Sequence, residues 1–201
     1  MFKNFKLCAS TAAIVLVAGC GGGGAGGPTY EDLTDEFLGL AERAPVIDSE
    51  RFLASDLPET GGANYNGVIG IFSSSEDFAL LGDLQMTASF SDDTISGGAD
   101  SFSNSDGETY SGRIPIRNGI IFRDDLPDLP TFEADFDGEL VFDPTGDVIV
   151  VNTDMIGDFY GDQYEFVSGI VLGTLSSEGE VVTVGTTTDD SDAFSVFIAE
   201  R

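Results

Sequence analysis

The segment Phe132-Glu-Ala-Asp-Phe-Asp-Gly-Glu-Leu-Val-Phe142 constrains the fold most, because apolar and acidic residues alternate along it almost without interruption. A period of two places successive side chains on opposite faces of a β-strand. Phe132, Phe136, Leu140 and Phe142 then share a core face, and Glu133, Asp135, Asp137 and Glu139 share a wet one, neighbours about 6.5–7 Å apart. A helix cannot hold this pattern, since its period of 3.6 would mix the two sets. The same alternation separates Leu84, Met86, Ala88 and Phe90 from Gln85, Thr87, Ser89 and Ser91. Further strands are predicted at Gly67–Ser73, Thr94–Asn104, Thr109–Arg117, Gly119–Arg123, Asp147–Asn152, Tyr164–Leu175, Glu180–Thr188 and Ala193–Ala199. Turn pairs separate them: Asp92-Asp93, Asp106-Gly107, Asn118-Gly119, Pro144-Thr-Gly146 and Glu178-Gly179. Merging neighbours, the regular spacing and single apolar face predict an all-β fold, an antiparallel up-and-down β-barrel of about eight strands, or a sandwich.

A different period precedes the strands. Leu33, Phe37, Leu40, Ala41 and Ala44 recur every three or four residues, which predicts an amphipathic helix from Tyr30 to about Ala44. Thr29 suits its N-cap, and Glu31, Asp32, Asp35 and Glu36 suit the positive end of the helix dipole. Pro45 ends it, and its apolar stripe is expected to pack on the barrel. The chain thus divides into residues 1–19, a leader; 20–28, a tether; 29–65, the short helix and an irregular linker; and 66–201, the barrel.

The leader carries Lys3 and Lys6, then a mostly apolar run from Leu7, then Val17-Ala-Gly-Cys20 and a glycine tract. A basic start, a short apolar stretch and small residues before a cleavage point make a secretory signal. Leu7 to Gly19 falls short of the about 20 apolar residues a membrane helix requires. The cysteine after Val-Ala-Gly resembles the lipobox of bacterial lipoproteins, which implies that Cys20 is acylated and becomes the mature N-terminus. Gly21 behind it fits outer-membrane sorting as known for such lipoproteins. Residues 21–28 would then be a flexible tether reaching roughly 15 Å. Cys8 leaves with the leader, so acylation of Cys20 leaves no thiol for disulfides, catalysis or metal ligation.

The formal net charge is −28, and the only lysines lie in the leader; the other cations are six arginines, and histidine is missing altogether. A nucleic-acid backbone calls for basic patches, so nucleic acid is excluded as a partner. Attraction to anionic lipid headgroups is excluded on the same ground. The acidity fits either a hydrated, salt-tolerant surface or a cationic partner.

The segments Ser89-Phe-Ser-Asp-Asp-Thr-Ile-Ser-Gly-Gly-Ala-Asp-Ser-Phe102, Thr131-Phe-Glu-Ala-Asp-Phe-Asp-Gly-Glu-Leu140, Gly157-Asp-Phe-Tyr-Gly161, Glu165-Phe-Val-Ser-Gly-Ile-Val-Leu-Gly173 and Phe197-Ile-Ala-Glu-Arg201 occur in this order. In that order they resemble the barrel domain of transferrin-binding protein B and related surface lipoproteins, here as a single barrel over about residues 66–201. The resemblance implies an eight-stranded barrel held to the outer membrane by lipid, often at the cell surface, that binds a host protein or a nutrient.

Several constellations invite chemistry. The glycines at 157, 161, 169 and 173 could suggest a phosphate loop, but such loops lead into a helix N-terminus and none follows; close strand packing or a barrel corner is the expectation. Asp100-Ser-Phe-Ser-Asn-Ser-Asp-Gly107 superficially suggests a calcium loop, yet the alignment puts Phe102 and Arg113 at ligand positions. It reads as a hairpin turn, and Asp189-Asp190-Ser-Asp192 as a loop. The ladder from Glu133 to Glu139 has a spacing that acid/base pairs use, but opposite an apolar face it reads as an outer wall, and no enzyme activity is expected. With no histidine and no thiol, Tyr65, Tyr110, Tyr160 and Tyr164 are the remaining ligand or stacking residues. Tyr160 and Tyr164 are the pair to test for ligand binding, against plain packing at the barrel rim.

The expectation is therefore a non-enzymatic lipoprotein, monomeric and without a cofactor, whose partner is an unidentified protein or small molecule. A filled interior, with Phe90, Phe136 and Phe142 inside, would favour a protein partner. An enclosed apolar pocket would favour a lipocalin-like carrier, and a structural envelope protein is the third reading.

Overall fold

The structure, a computed structural model, describes residues 27–44, 57–73, 79–123, 131–161, 163–185 and 195–201. Helix α1 (Tyr30–Arg43) precedes ten strands: β1 (Gly62–Phe72), β2 (Ala79–Ser89), β3 (Thr94–Asn104), β4 (Thr109–Ser111), β5 (Ile114–Ile121), β6 (Phe132–Phe142), β7 (Val148–Tyr160), β8 (Phe166–Ser177), β9 (Glu180–Val184) and β10 (Val196–Glu200). All pairings are antiparallel, and they close on themselves. β1 pairs β2, β2 pairs β3, and β4 and β5 together fill the place between β3 and β6. β6, β7 and β8 follow in order. β9 lies along the second half of β8, β10 along its first half, and β10 returns to β1. Eight staves thus form an up-and-down barrel, two of them broken into pieces, and closure leaves no long unpaired edge.

The break between β9 and β10 is held by one buried side chain. Ser195 Oγ accepts from the Phe72 backbone N–H at 2.8 Å and donates to the Phe72 carbonyl at 3.1 Å, doing the work of a strand pair where the stave is interrupted. A Ser73–Val184 bridge closes the same seam.

Strand limits differ from the sequence expectation in four places. β1 begins at Gly62, inside the stretch read as irregular, because Gly62–Asn66 find partners on Ser89–Gln85. Asn118-Gly119 is a bulge inside β5 rather than a turn: the pairing Arg117–Asp135 skips to Ile120–Glu133, with Asn118 at φ 51°. A left-handed residue serves a bulge as well as a hairpin. The stave breaks at Gly112-Arg113 instead. β7 runs on to Tyr160, past the Asn152 at which the predicted strand ends, and β8 starts at Phe166 rather than Tyr164. The segments Thr186–Thr188 and Ala193–Phe194 and the acidic triplet at 189–192 lie outside the described residues.

Helix α1 docks on the outer wall as its stripe requires. Leu33 packs with Val68 and Leu81, while Leu40 packs with Phe166 and Ile198. Both leucines are fully buried, a contribution of about 1.5–3 kcal/mol each. Thr29 caps the helix in a complete capping box: its hydroxyl accepts from the Asp32 N–H, and its own N–H donates to the Asp32 carboxylate at 2.9 Å. Arg43 at the other end reaches Glu200 at 2.7 Å.

The covered wall also traps charge. Desolvation raises the Glu36 carboxyl above its ordinary value, the nearby Asp83 adds to this and Arg43 opposes it. Asp83 is raised by desolvation and then by Asp100, with Arg113 opposing. Carboxyls raised in the folded state stabilise it fully below their unfolded pKa, near 4, and lose that contribution as pH rises through the folded value. Asp83→Asn should therefore raise Tm at pH 7 relative to the native chain and leave it little changed near pH 3.5. Thermal melts of the two proteins across this range check it; parallel curves would refute it.

Candidate functional site

Tyr160 and Tyr164 do not form one site. Tyr160 ends β7 facing outward and packs against the Leu40, Phe166 and Ile198 cluster beneath helix α1. Tyr164, at φ 51°, turns over the barrel mouth and packs on the interior cluster. Its ring meets Phe90 edge-on at 5.1 Å, the Arg201 guanidinium lies 5.0 Å over its face, and its carbonyl accepts the Tyr65 hydroxyl at 2.9 Å. Burial pushes the Tyr65 phenol well above its ordinary range, so it serves as a neutral hydrogen-bond donor. Tyr164 and Tyr65 close a mouth, and Tyr160 takes no part in it. Cys20 lies outside the described residues.

The interior below that mouth is filled with rings from four staves and a turn. Phe159 of β7 is 6.0 Å from Tyr65 of β1, 5.8 Å from Phe90 and 5.5 Å from Phe132 of β6, and Phe132 is 6.0 Å from Phe197 of β10. The glycines explain how these rings fit. Phe132, Gly157, Gly169 and Phe197 stand side by side in one row across β6, β7, β8 and β10. The two phenylalanine rings occupy the space above the two glycines, within 2.7 Å of where a Cβ would stand. The expectation of close strand packing at these glycines is met. Phe90 and Phe136 are buried inside, whereas Phe142 is only partly buried and stacks on Tyr110 at 5.0 Å. At the opposite mouth, a cleft of about 150 Å³ opens to solvent between Ser73, Ile149, Leu175 and Val182. That is below the 300–1,000 Å³ of sites for drug-sized ligands.

Arg123 fastens the filled end. Its guanidinium donates to Asp93 at 2.6 Å and to the carbonyls of Leu57, Pro58 and Phe90 at 3.2, 3.0 and 2.8 Å. The β2–β3 turn, the stretch just before β1 and the end of β5 are thereby tied together. The supposed calcium loop is a hairpin turn: Asn104 Oδ1 accepts from the N–H groups of Asp106 and Glu108 at 3.1 and 2.9 Å.

The acidic ladder of β6 faces outward, as its alternation required, with Phe132, Ala134, Phe136 and Leu140 buried on the other side. Register adds what alternation could not. Asp135 of β6 stands directly opposite Asp154 of β7, and Glu133 stands between Ile120 of β5 and Ile156 of β7. The β5 bulge opens a groove of about 290 Å³ over these residues. Asn118 donates to Asp135 at 2.6 Å and Arg117 to Asp137 at 3.0 Å. Among the described residues, Glu133 and Asp154 have no side-chain partner. Asp154, Ile120 and Ile156 carried no signal of their own, since only pairing brings them beside Glu133.

No family model matches the chain, and no curated protein matches it. Among the described residues, no helix is long and apolar enough to cross a membrane, and no group of His, Cys, Asp and Glu is arranged to hold a metal ion.

Proposed function

We propose that the chain is an outer-membrane lipoprotein, anchored through an acylated Cys20, that binds a protein partner on the outside of a filled barrel. The observation that carries this reading is the ring cluster around Phe159. Side chains from β1, the β2–β3 turn, β6, β7 and β10 meet where an interior ligand would sit, so recognition falls to the outer wall and the rims. A lipobox at residues 17–20 and a glycine tether supply the attachment, and the carboxylates on the outer wall disfavour burial of that wall in lipid. The resemblance to transferrin-binding protein B-like barrels points to acquisition of a nutrient or a host protein, with the partner unidentified. No catalytic role is part of this reading.

Two experiments test it. Cys20→Ser should move the protein from the membrane fraction to the soluble fraction almost completely, and an unchanged membrane fraction would refute lipidation at that residue. Affinity capture with the full-length protein in non-ionic detergent, followed by mass spectrometry, should recover a protein; recovery of only a lipid or metabolite would favour the lipocalin-like carrier, and recovery of nothing the structural envelope protein.

A further inference from the structure

The outer wall of β5 to β8 carries an apolar row that nothing in the described structure covers. Strand register aligns Ile120, Glu133, Ile156, Ile170 and Val196 side by side on the outer face. Ile120 is 53% exposed and Ile170 36% exposed. The helix covers the outward residues further round the barrel, such as Leu81 and Ile198, but not these. Beside the row lies the Asp135–Asp154 pair, two like charges directly opposite each other, an arrangement that destabilises a sheet. Arg117, the nearest cation of the chain in this register, is engaged with Asp137.

We infer that this groove docks an extended, cationic segment of the protein partner, its Lys or Arg residues meeting Glu133, Asp135 and Asp154 and its aliphatic residues lying on Ile120, Ile156 and Ile170. The inference rests on the protein-binding reading above and names the surface and partner chemistry for it. A strand-like segment turns every second side chain to the wall, so a Lys or Arg and an aliphatic residue two positions apart would meet the acidic and the apolar positions together. At about 290 Å³ the groove stands at the bottom of the range for drug-sized ligands and has room for a few side chains of a partner. A simple cation would leave the isoleucines wet, and a nucleic acid or an anionic membrane would be repelled. Binding would also relieve the Asp135–Asp154 repulsion, so the free protein holds strain in charge that the partner removes.

The test uses the full-length protein in non-ionic detergent and three probes: a lysine–valine heptapeptide, Lys-Ser-Val-Ser-Lys-Ser-Val, which turns its lysines and valines to one face when extended, the same peptide with glycine in place of valine, and spermidine. Titration calorimetry should show the lysine–valine peptide binding at least about fivefold tighter than either control. The double variant E133Q/D154N should weaken it roughly tenfold and flatten its salt dependence, and I120S should weaken it several-fold. D106N/E178Q removes the same number of charges from two distant turns and should leave binding unchanged. E133Q/D154N should also melt about 1–3 °C higher, which excludes misfolding as the cause of lost binding. Equal binding of all three probes, or equal loss in D106N/E178Q, would reduce the groove to part of a diffuse polyanion and overturn the inference. A captured protein partner that still binds E133Q/D154N would overturn this surface while leaving the protein-binding function standing, whereas capture of only small molecules would remove that function itself.

Discussion

Phe159→Ala is expected to lower the free energy of unfolding by about 3–5 kcal/mol, a large share of the 5–15 kcal/mol typical of a domain. Phe159 is fully buried and touches rings of Tyr65, Phe90 and Phe132, which belong to three other parts of the barrel. Removing it opens a cavity that closed staves cannot collapse to fill, because each strand is hydrogen-bonded on both sides. Urea denaturation followed by circular dichroism measures the loss, and Phe159→Leu should recover a good part of it. A loss below about 1 kcal/mol would show a loose interior, and the argument for an exterior binding surface would lose its support.

Gly169→Val is the second large effect, expected at about 3 kcal/mol or more or a failure to fold. A Cβ at this position would stand 2.0 Å from the Ile156 carbonyl oxygen, 2.6 Å from the Gly157 Cα and 2.7 Å from the Phe197 ring. Two of these atoms are backbone and the third is a ring packed against Phe132, so nothing can move aside cheaply. Gly39→Ala in helix α1 supplies the opposite sign. There a Cβ meets only the Arg43 guanidinium at 3.4 Å, and replacing a mid-helix glycine should stabilise by about 0.5–1 kcal/mol. Melting both variants beside the native chain checks the pair, and a Gly169 variant as stable as the native chain would mean that the glycine row is not the packing device described.

Much of the barrel was readable from residues 66–201 because most staves have one wet face. Along β6, alternation alone predicted which carboxylates point out and which phenylalanines point in. It failed along β1, where Val68, Ile69, Gly70 and Ile71 are buried in succession, because helix α1 covers the outward side and erases the polar half of the pattern. It stopped short along β7, whose predicted strand ends at Asn152, although close strand packing is the expectation at Gly157 and the strand runs through it. Asn118-Gly119 misled for a third reason: the left-handed conformation it favours serves a bulge and a turn equally, and only pairing with β6 decides between them. The tyrosines at 160 and 164 are close in sequence, yet strand alternation and the turn after β7 send them to different clusters.

Local rules sufficed for the strand class, the outward carboxylates and the capped helix, since each depends on residues within one turn or one strand. Closure of the sheet, the meeting of rings around Phe159, and the placing of Asp154 opposite Asp135 beside the row of Ile120, Glu133 and Ile156 depend on register between segments far apart in the chain. A one-residue slip in that register would send every side chain of a strand to the other face. The composition is compatible with many registers, and the packed interior with its glycine row selects one.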